Sequence, residues 1–315
     1  MIKNFISIFA LFATISVFGQ KAINNTKTEK HMQIPGTKFF LIPPDGFVSA
    51  KDFSGLQQME NGASIIVMDM PAPYSVAVQK FSKQEFKTKG VLVQKTQEMK
   101  VNGKQGLFIT AEQSSQGINF SKYLLVFGDS KNTYLLNASF PKAFEELDAQ
   151  IRGSIFSVVY DEGLSVDSLN AVPFSIDTEN TKMKFAKNLM GSLMFTADGN
   201  VPTRSNDKTN FSVGPSLGPV KINDQKQTAI ARIRKFQYKD LKMDEENITE
   251  IEIDGISGYE IIAEGIDAKT GVKELAYQVM LFPEEGYYIL LGTATEDFEQ
   301  NLEMFRKLAR TFKRK

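Results

Sequence analysis

The sequence predicts an α+β protein of two tandem copies of one unit, each an antiparallel sheet flanked by helices. Three observations predict it. A stretch of the chain repeats itself, each copy holds short β-type runs joined by Asn-Gly or Asp-Gly turns, and each copy closes on an amphipathic helix.

The repeat can be read directly. Residues 98–112 (EMKVNGKQGLFITAE) and 250–264 (EIEIDGISGYEIIAE) share Glu98/Glu250, Gly103/Gly255, Gly106/Gly258, Ala111/Ala263 and Glu112/Glu264 at a constant spacing of 152. Downstream, Lys122 to Phe127 (KYLLVF) aligns with Tyr277 to Phe282 (YQVMLF), and Tyr134-Leu135-Leu136 with Tyr288-Ile289-Leu290. Phe144, Leu147 and Ile151 match Phe298, Leu302 and Phe305, and upstream Thr37 to Leu41 matches Thr181 to Phe185. The first unit is therefore expected over 37–163 and the second over 181–315, with 164–180 as linker. Charge agrees with that division. The first unit holds 13 basic and 13 acidic side chains and the second 20 of each, whereas the linker has three acids and no base.

Residues 1–19 read as an export signal. Lys3 supplies the basic start, Phe5 to Phe18 is apolar, and Val17-Phe18-Gly19 places small residues for a cut before Gln20. That apolar stretch is shorter than the ~20 residues a membrane span needs, so no transmembrane segment is expected in the mature chain. The expected destination is the periplasm, with the extracellular space as the alternative. Residues 20–36, rich in Asn, Lys and Thr, read as a flexible leader.

Within each unit the elements follow in order. A strand opens it at 37–42 or 181–187, and in the first copy a turn follows at Pro44-Asp45-Gly46. A second turn at Asn61-Gly62 precedes the apolar run Ala63–Met70, closed by Pro71. A helix is predicted over Tyr74–Lys89, with Gln227–Tyr238 as its counterpart. Three strands follow at 97–101, 106–112 and 120–127, with Asn102-Gly103 and Asp254-Gly255 as the hairpin turns. A last strand (133–139, 287–293) leads into the closing helix. There Phe144, Leu147, Ile151 and Ile155, or Phe298, Leu302, Phe305 and Phe312, recur at helical spacing.

The opening FFLIPPDGF (39–47), the Asn-Gly/Asp-Gly hairpin with its Gly-containing strand, and the closing helix together resemble the PsbP/Mog-like fold. The resemblance spans both copies. It implies an antiparallel sheet with helices on both sides, and a role as an accessory binding protein, as in a photosystem assembly subunit or a GTPase-binding protein. It carries no catalytic residues. The second copy departs from it, with Ala-Lys-Asn-Leu-Met-Gly in place of Ile-Pro-Pro-Asp-Gly. The signal ending in Phe-Gly-Gln resembles in style those of Bacteroidetes-type bacteria.

Composition excludes several chemistries. With 37 basic and 37 acidic side chains the chain lacks the basic excess of a nucleic-acid binder. No Cys rules out disulfides, thiol nucleophiles and thiolate metal sites, and a single His, His31, rules out multi-His metal sites. No cofactor is expected.

Few constellations suggest chemistry. Gly214-Pro215-Ser216-Leu217-Gly218 has the outline of a nucleophile elbow, but the lone His31 lies far upstream and Pro215 precedes the serine. The acid pairs Asp161-Glu162, Asp244-Glu245-Glu246 and Glu284-Glu285 lie beside turns, where solvated loop charge is the default. Asp198-Gly199-Asn200 hints at a calcium loop without EF-hand spacing. Met68, Met70, Met183, Met190 and Met194 read as core rather than as copper ligands, and the basic residues from Arg306 to Lys315 suit a helix C-terminus.

The function predicted from these residues is an exported, non-enzymatic binding or accessory module of the cell envelope. A hydrophobic small-ligand carrier and a carboxylate-dependent hydrolase are the alternatives. The partner is expected to be an envelope protein, or a small apolar ligand in the carrier reading. The residues singled out for partner binding are Phe39, Phe40 and Phe47, beside Pro43-Pro44, together with the basic Arg232, Arg234 and Lys235. No catalytic, cofactor or metal residue is assigned. The groove between the copies is the expected place of contact.

Overall fold

The computed structural model describes residues 21–115, 117–217, 220–246 and 248–315, so the expected export signal lies outside the described residues. The first half runs β1 (Lys21–Ile23), β2 (Met32–Gln33), β3 (Phe39–Leu41), β4 (Val48–Ser49), β5 (Gly55–Gln58), β6 (Ala63–Met70), α1 (Tyr74–Ala77) and α2 (Lys83–Lys87). It continues with β7 (Val91–Val101), β8 (Lys104–Ser115), β9 (Ile118–Gly128), β10 (Thr133–Pro141), α3 (Leu147–Phe156) and β11 (Val159–Tyr160). The second half runs β12 (Phe174–Ser175), β13 (Lys184–Leu189), β14 (Ser192–Thr196), β15 (Asn210–Pro215), α4 (Gln225–Ile233) and β16 (Tyr238–Met243). It ends with β17 (Thr249–Ile253), β18 (Ile256–Asp267), β19 (Lys273–Leu281), β20 (Tyr288–Ala294), α5 (Phe298–Arg310) and β21 (Lys313–Arg314). Among the described residues no helix is long and apolar enough to cross a membrane.

Two sheets dominate. One has the order β1-β7-β8-β9-β10-β6-β5-β4 and the other β13-β14-β15-β20-β19-β18-β16, with β17 also on β18. The run β5-β6-β10-β9-β8-β7 has the same sense as β14-β15-β20-β19-β18-β16. Both sheets carry helices on both faces. On one face of the first, Leu147, Ile151 and Ile155 of α3 join the large apolar cluster, and on the other Phe86 of α2 packs with Ile109 and Leu124. The second sheet repeats this with Phe305 and Leu308 of α5 on one face and Ile230 and Ile233 of α4 on the other.

Strand periodicity explains how one sheet serves two cores. Successive side chains point to opposite faces, so Phe108 joins the α3 side while its neighbour Ile109 joins the α2 side. Burying a ring such as Phe305 stabilises by about 2–3 kcal/mol. Gly292 makes that burial possible, because a Cβ at this position would stand 2.5 Å from the Phe305 ring.

Several expectations hold in detail. Asn102-Gly103 and Asp254-Gly255 both place two consecutive residues at positive φ, the geometry that tight hairpins use. Thr37 and Thr181 make the same local bonds, each hydroxyl donating three residues back, to Ile34 O and Thr178 O, and accepting from the N–H two residues on.

Other expectations are corrected. The leader 20–36 is not free from residue 21 onward. β1 pairs parallel with β7, β2 pairs with β3, and the Asn25 amide donates to Phe156 O at 2.7 Å and Val158 O at 3.1 Å. Its polar composition is used to satisfy a sheet edge and the end of α3. The linker 164–180 divides, since Val172 and Phe174 are buried in the second core and β12 pairs with β21. The predicted helix 74–89 breaks at Ser82, whose extended backbone and Oγ, accepting from Glu85 N–H, cap α2 anew. Its predicted counterpart, 227–238, ends as a helix at Ile233. Tyr238 is instead drawn into edge strand β16, and its hydroxyl donates to Glu274 at 2.6 Å.

The opening strand also differs between the halves. β3 joins a separate ribbon with β2 and β11, whereas β13 is the edge of the second main sheet. One alignment moves by a residue as well. Ala111 pairs with Lys122 and Ala263 with Ala276, so Tyr123 matches Tyr277 and the spacing grows to 154 across the longer second hairpin.

Candidate functional site

The two halves meet along a cleft of about 290 Å³. Its first wall comprises residues 36–39 and the outer part of β6, and its second is β13 with the turn that follows. A β-bulge between Phe185 and Lys187 interrupts the β13–β14 register, and such bulges re-aim the side chains that follow. Lys187 then reaches across to Asp69 of β6 at 3.0 Å, with Lys187 18% and Asp69 40% exposed. The other Asp69 oxygen accepts the Tyr160 hydroxyl at 3.2 Å. Burial, and then the charge of Asp69, push the Tyr160 hydroxyl well above the usual tyrosine range.

A second contact joins the halves beside the cleft. Met190 and Gly191 form the β13–β14 turn at φ +55° and +84°, and a Cβ on Gly191 would lie 2.8 Å from the Asp52 carbonyl oxygen. Glycine is therefore required twice, by the left-handed backbone and by the close approach of the first half. Nearby, the Asn188 amide donates to Ser168 O at 2.9 Å, tying the turn to the connecting segment. Burial raises the Asp52 carboxyl, partly offset by Lys51. The cleft thus presents one paired acid, two lysines (Lys38 and Lys187) and the half-buried Met68 and Phe185.

The residues singled out for partner binding are not gathered here. Phe39, Phe40 and Phe47 are 1%, 3% and 7% exposed, so they form no accessible aromatic patch. Phe39 packs edge-on against Tyr160 and Tyr134, because β3 lies between β2 and β11 with all three of its residues buried, and Phe47, beyond the turn, joins the same cluster. Phe39 still lines the cleft from behind. Arg232 is half-buried on α4, while Arg234 and Lys235 are exposed at its end, with Arg234 paired to Glu245. None of these three lines the cleft.

The chemistry-bearing motifs are occupied structurally. Ser216 is buried and its hydroxyl accepts the Tyr287 N–H at 3.3 Å. His31 is bonded to Thr28 and, through Nε2, to Ser157 O at 2.9 Å. Glu162 shares Lys104 with Asp129. Asp198 accepts from Asn200, Thr203, Arg204 and Ser205 within its own loop. Burial works against its charge, but these bonds hold the carboxyl well below the usual range. Among the described residues no group of three metal-ligating side chains forms. The space under α5 is filled by stacked rings, with Phe305 5.9 Å from Phe211 and 6.0 Å from Tyr277.

Asp69, Lys187 and Gly191 were not visible as a site in the sequence. The one signal was the departure of residues 186–191 from the first copy's Pro-Pro-Asp-Gly turn.

No family model matches the chain, and no curated protein matches it. Among solved structures, the apo immunity protein TplEi of T6SS from Pseudomonas aeruginosa is similar at 10% identity, over 90% of this chain and 97% of that one, with a TM-score of 0.33. A chain of the Tle4–Tli4 complex is similar at 10% identity, over 91% and 98%, with a TM-score of 0.33. The solution structure of cyanobacterial PsbP (CyanoP) from Synechocystis sp. PCC 6803 is similar at 7% identity, over 39% of this chain and 87% of that one, with a TM-score of 0.30.

Proposed function

We propose that the chain is an exported, non-enzymatic binding protein of the cell envelope, built from two PsbP/Mog-like copies, and that it holds a protein partner in the cleft between them. The corresponding strand orders, the paired hairpin turns and the shared Thr37/Thr181 geometry support the two-copy reading.

The observation that carries the binding reading is the pair of contacts that join the halves at and beside the cleft, Lys187–Asp69 and Gly191 against Asp52. Fixing the halves in this way pre-forms a surface drawn from both, which lowers the ordering cost a partner would meet. The engaged Ser216, His31 and Glu162 favour binding over hydrolysis. The stacked rings under α5 fill the space a carried apolar ligand would need.

The test is in-cell crosslinking and capture of the full chain beside an Ala186→Trp variant, whose indole fills the cleft. Recovery of one envelope protein by the parent chain and its loss with Ala186→Trp is the expected result. Equal recovery by both would move the contact elsewhere, and Arg232→Gln/Arg234→Gln/Lys235→Gln would then test the α4 end.

A further inference from the structure

A second cavity, of about 120 Å³, lies under the free end of the first sheet, between β1, β7, β8 and α3. Its floor is aromatic, with the rings of Phe108 and Phe156 4.8 Å apart. Three cations surround it: Lys21, Lys95 and Arg152.

Each arrives there for a structural reason. Lys21 is carried in by the parallel addition of β1 to β7, and its Nζ stands 4.7 Å from the Phe156 ring centre. Lys95 follows a β-bulge between Val93 and Lys95. Before the bulge Val91 and Val93 face the α2 side, and after it Met99 and Val101 face the α3 side. The extra residue therefore turns Lys95 from the outer face to the inner one. Arg152 donates from Nη2 to Asp148 at 2.7 Å and also lines the cavity. With Asp148 counted against the three cations, the site holds two positive charges in excess.

The second half shows what such a place accepts. Phe108 and Glu260 occupy the same register position, each two residues ahead of the partner of the matched tyrosine. Glu260 puts a carboxylate there, 3.2 Å from Arg306, whereas the first half puts a ring there and has Asp148 alone against its three cations.

We propose that this cavity binds a phosphate group, with Lys21, Lys95 and Arg152 as its charge-assisted donors. A dianion matches the excess charge, and the volume admits one such group. The site is independent of the cleft proposed above. The phosphate could be free in solution or the headgroup of a lipid, and the test separates these sources.

Inorganic phosphate is titrated into the full chain by calorimetry at constant ionic strength, beside Lys21→Gln, Lys95→Gln and Lys95→Arg variants. Lys21 and Lys95 are exposed and outside the core, so all three variants keep the fold. Saturable one-to-one binding is expected, weakened about tenfold by either glutamine, since one charge-assisted bond accounts for that much, and largely kept by arginine. Absence of saturable binding, or binding equal in both glutamine variants and the parent chain, overturns the proposal. Flotation with phosphatidic acid vesicles then names the source. Retention lost in Lys95→Gln assigns a lipid headgroup, and phosphate binding without retention assigns a soluble phosphate.

Discussion

Asp148 and Glu260 do the same work from opposite sides. Asp148, on helix α3, accepts the Tyr123 hydroxyl, and Glu260, on strand β18, accepts the matched Tyr277 hydroxyl at 2.8 Å. Each carboxylate also binds the arginine of its helix, Arg152 or Arg306. Helix and strand have exchanged the acid while the tyrosine and arginine stayed in place. Phe108 holds the strand position of Glu260 in the first half, and with the two arginines aligned Leu302 holds the helix position of Asp148 in the second, one residue on from the Leu147–Leu302 match read from spacing.

This exchange predicts unequal costs. Glu260 is 6% exposed, so Glu260→Ala leaves the buried Tyr277 hydroxyl without its acceptor, while the 42%-exposed Arg306 turns to water, at a cost of about 1–3 kcal/mol. Asp148 is 36% exposed, and Asp148→Ala costs about 1 kcal/mol. Urea unfolding of both variants measures the difference. Phe108→Glu combined with Asp148→Leu is expected to be less harmful than the sum of its single changes.

Gly191→Ala should loosen the junction of the halves. The new Cβ meets both a positive φ and the Asp52 carbonyl, a cost of about 1–3 kcal/mol. Limited proteolysis between residues 161 and 171 is the readout, with faster cleavage in the variant and two separated thermal transitions in place of one.

Alkaline pH should release one support of the first core. Burial, reinforced by the Asp148 hydrogen bond, pushes the Tyr123 hydroxyl up to about 12. A folded-state value raised above the unfolded one means the stabilisation is complete below about pH 10 and is lost as pH rises through about 12. Tyr123→Phe, lacking that group, should show a flatter loss of stability over the same interval in denaturant titrations.

Asn102→Ala should act at two places. Its left-handed backbone is costly for alanine, and its Oδ1 accepts the Asn25 N–H at 2.8 Å. A loss of about 1 kcal/mol is expected, with faster amide exchange confined to residues 21–25 and the hairpin. Unchanged exchange at 21–25 would show that β1 holds without this bond.

Much of the architecture could be read from spacing because its causes are local. Asn-Gly and Asp-Gly accept the backbone that a two-residue hairpin needs, Pro71 ends a strand, and Phe298, Leu302 and Phe305 mark one side of a helix. The reading failed where distant partners decide. Residues 21–36 are polar by composition, yet β7 and the end of α3 offer their backbone groups partners. Phe39, Phe40 and Phe47 are equally aromatic inside or outside, and only the pairing of β3 with β2 and β11 and the packing of Phe47 on the first core place them inside. The cleft and the cationic cavity were both beyond reach, because bulges at β7 and β13 reverse which face Lys95 and Lys187 occupy.

The sequence by itself determined the strand-and-turn grammar, the repeated closing helices, the balanced charge and the lack of thiol chemistry, since each depends on residue type and short-range spacing. Tertiary structure decided which acid neutralises which arginine, where the leader lies, and how the halves meet. Those outcomes depend on register and bulges, and a shift of one residue along a strand sends every following side chain to the other face.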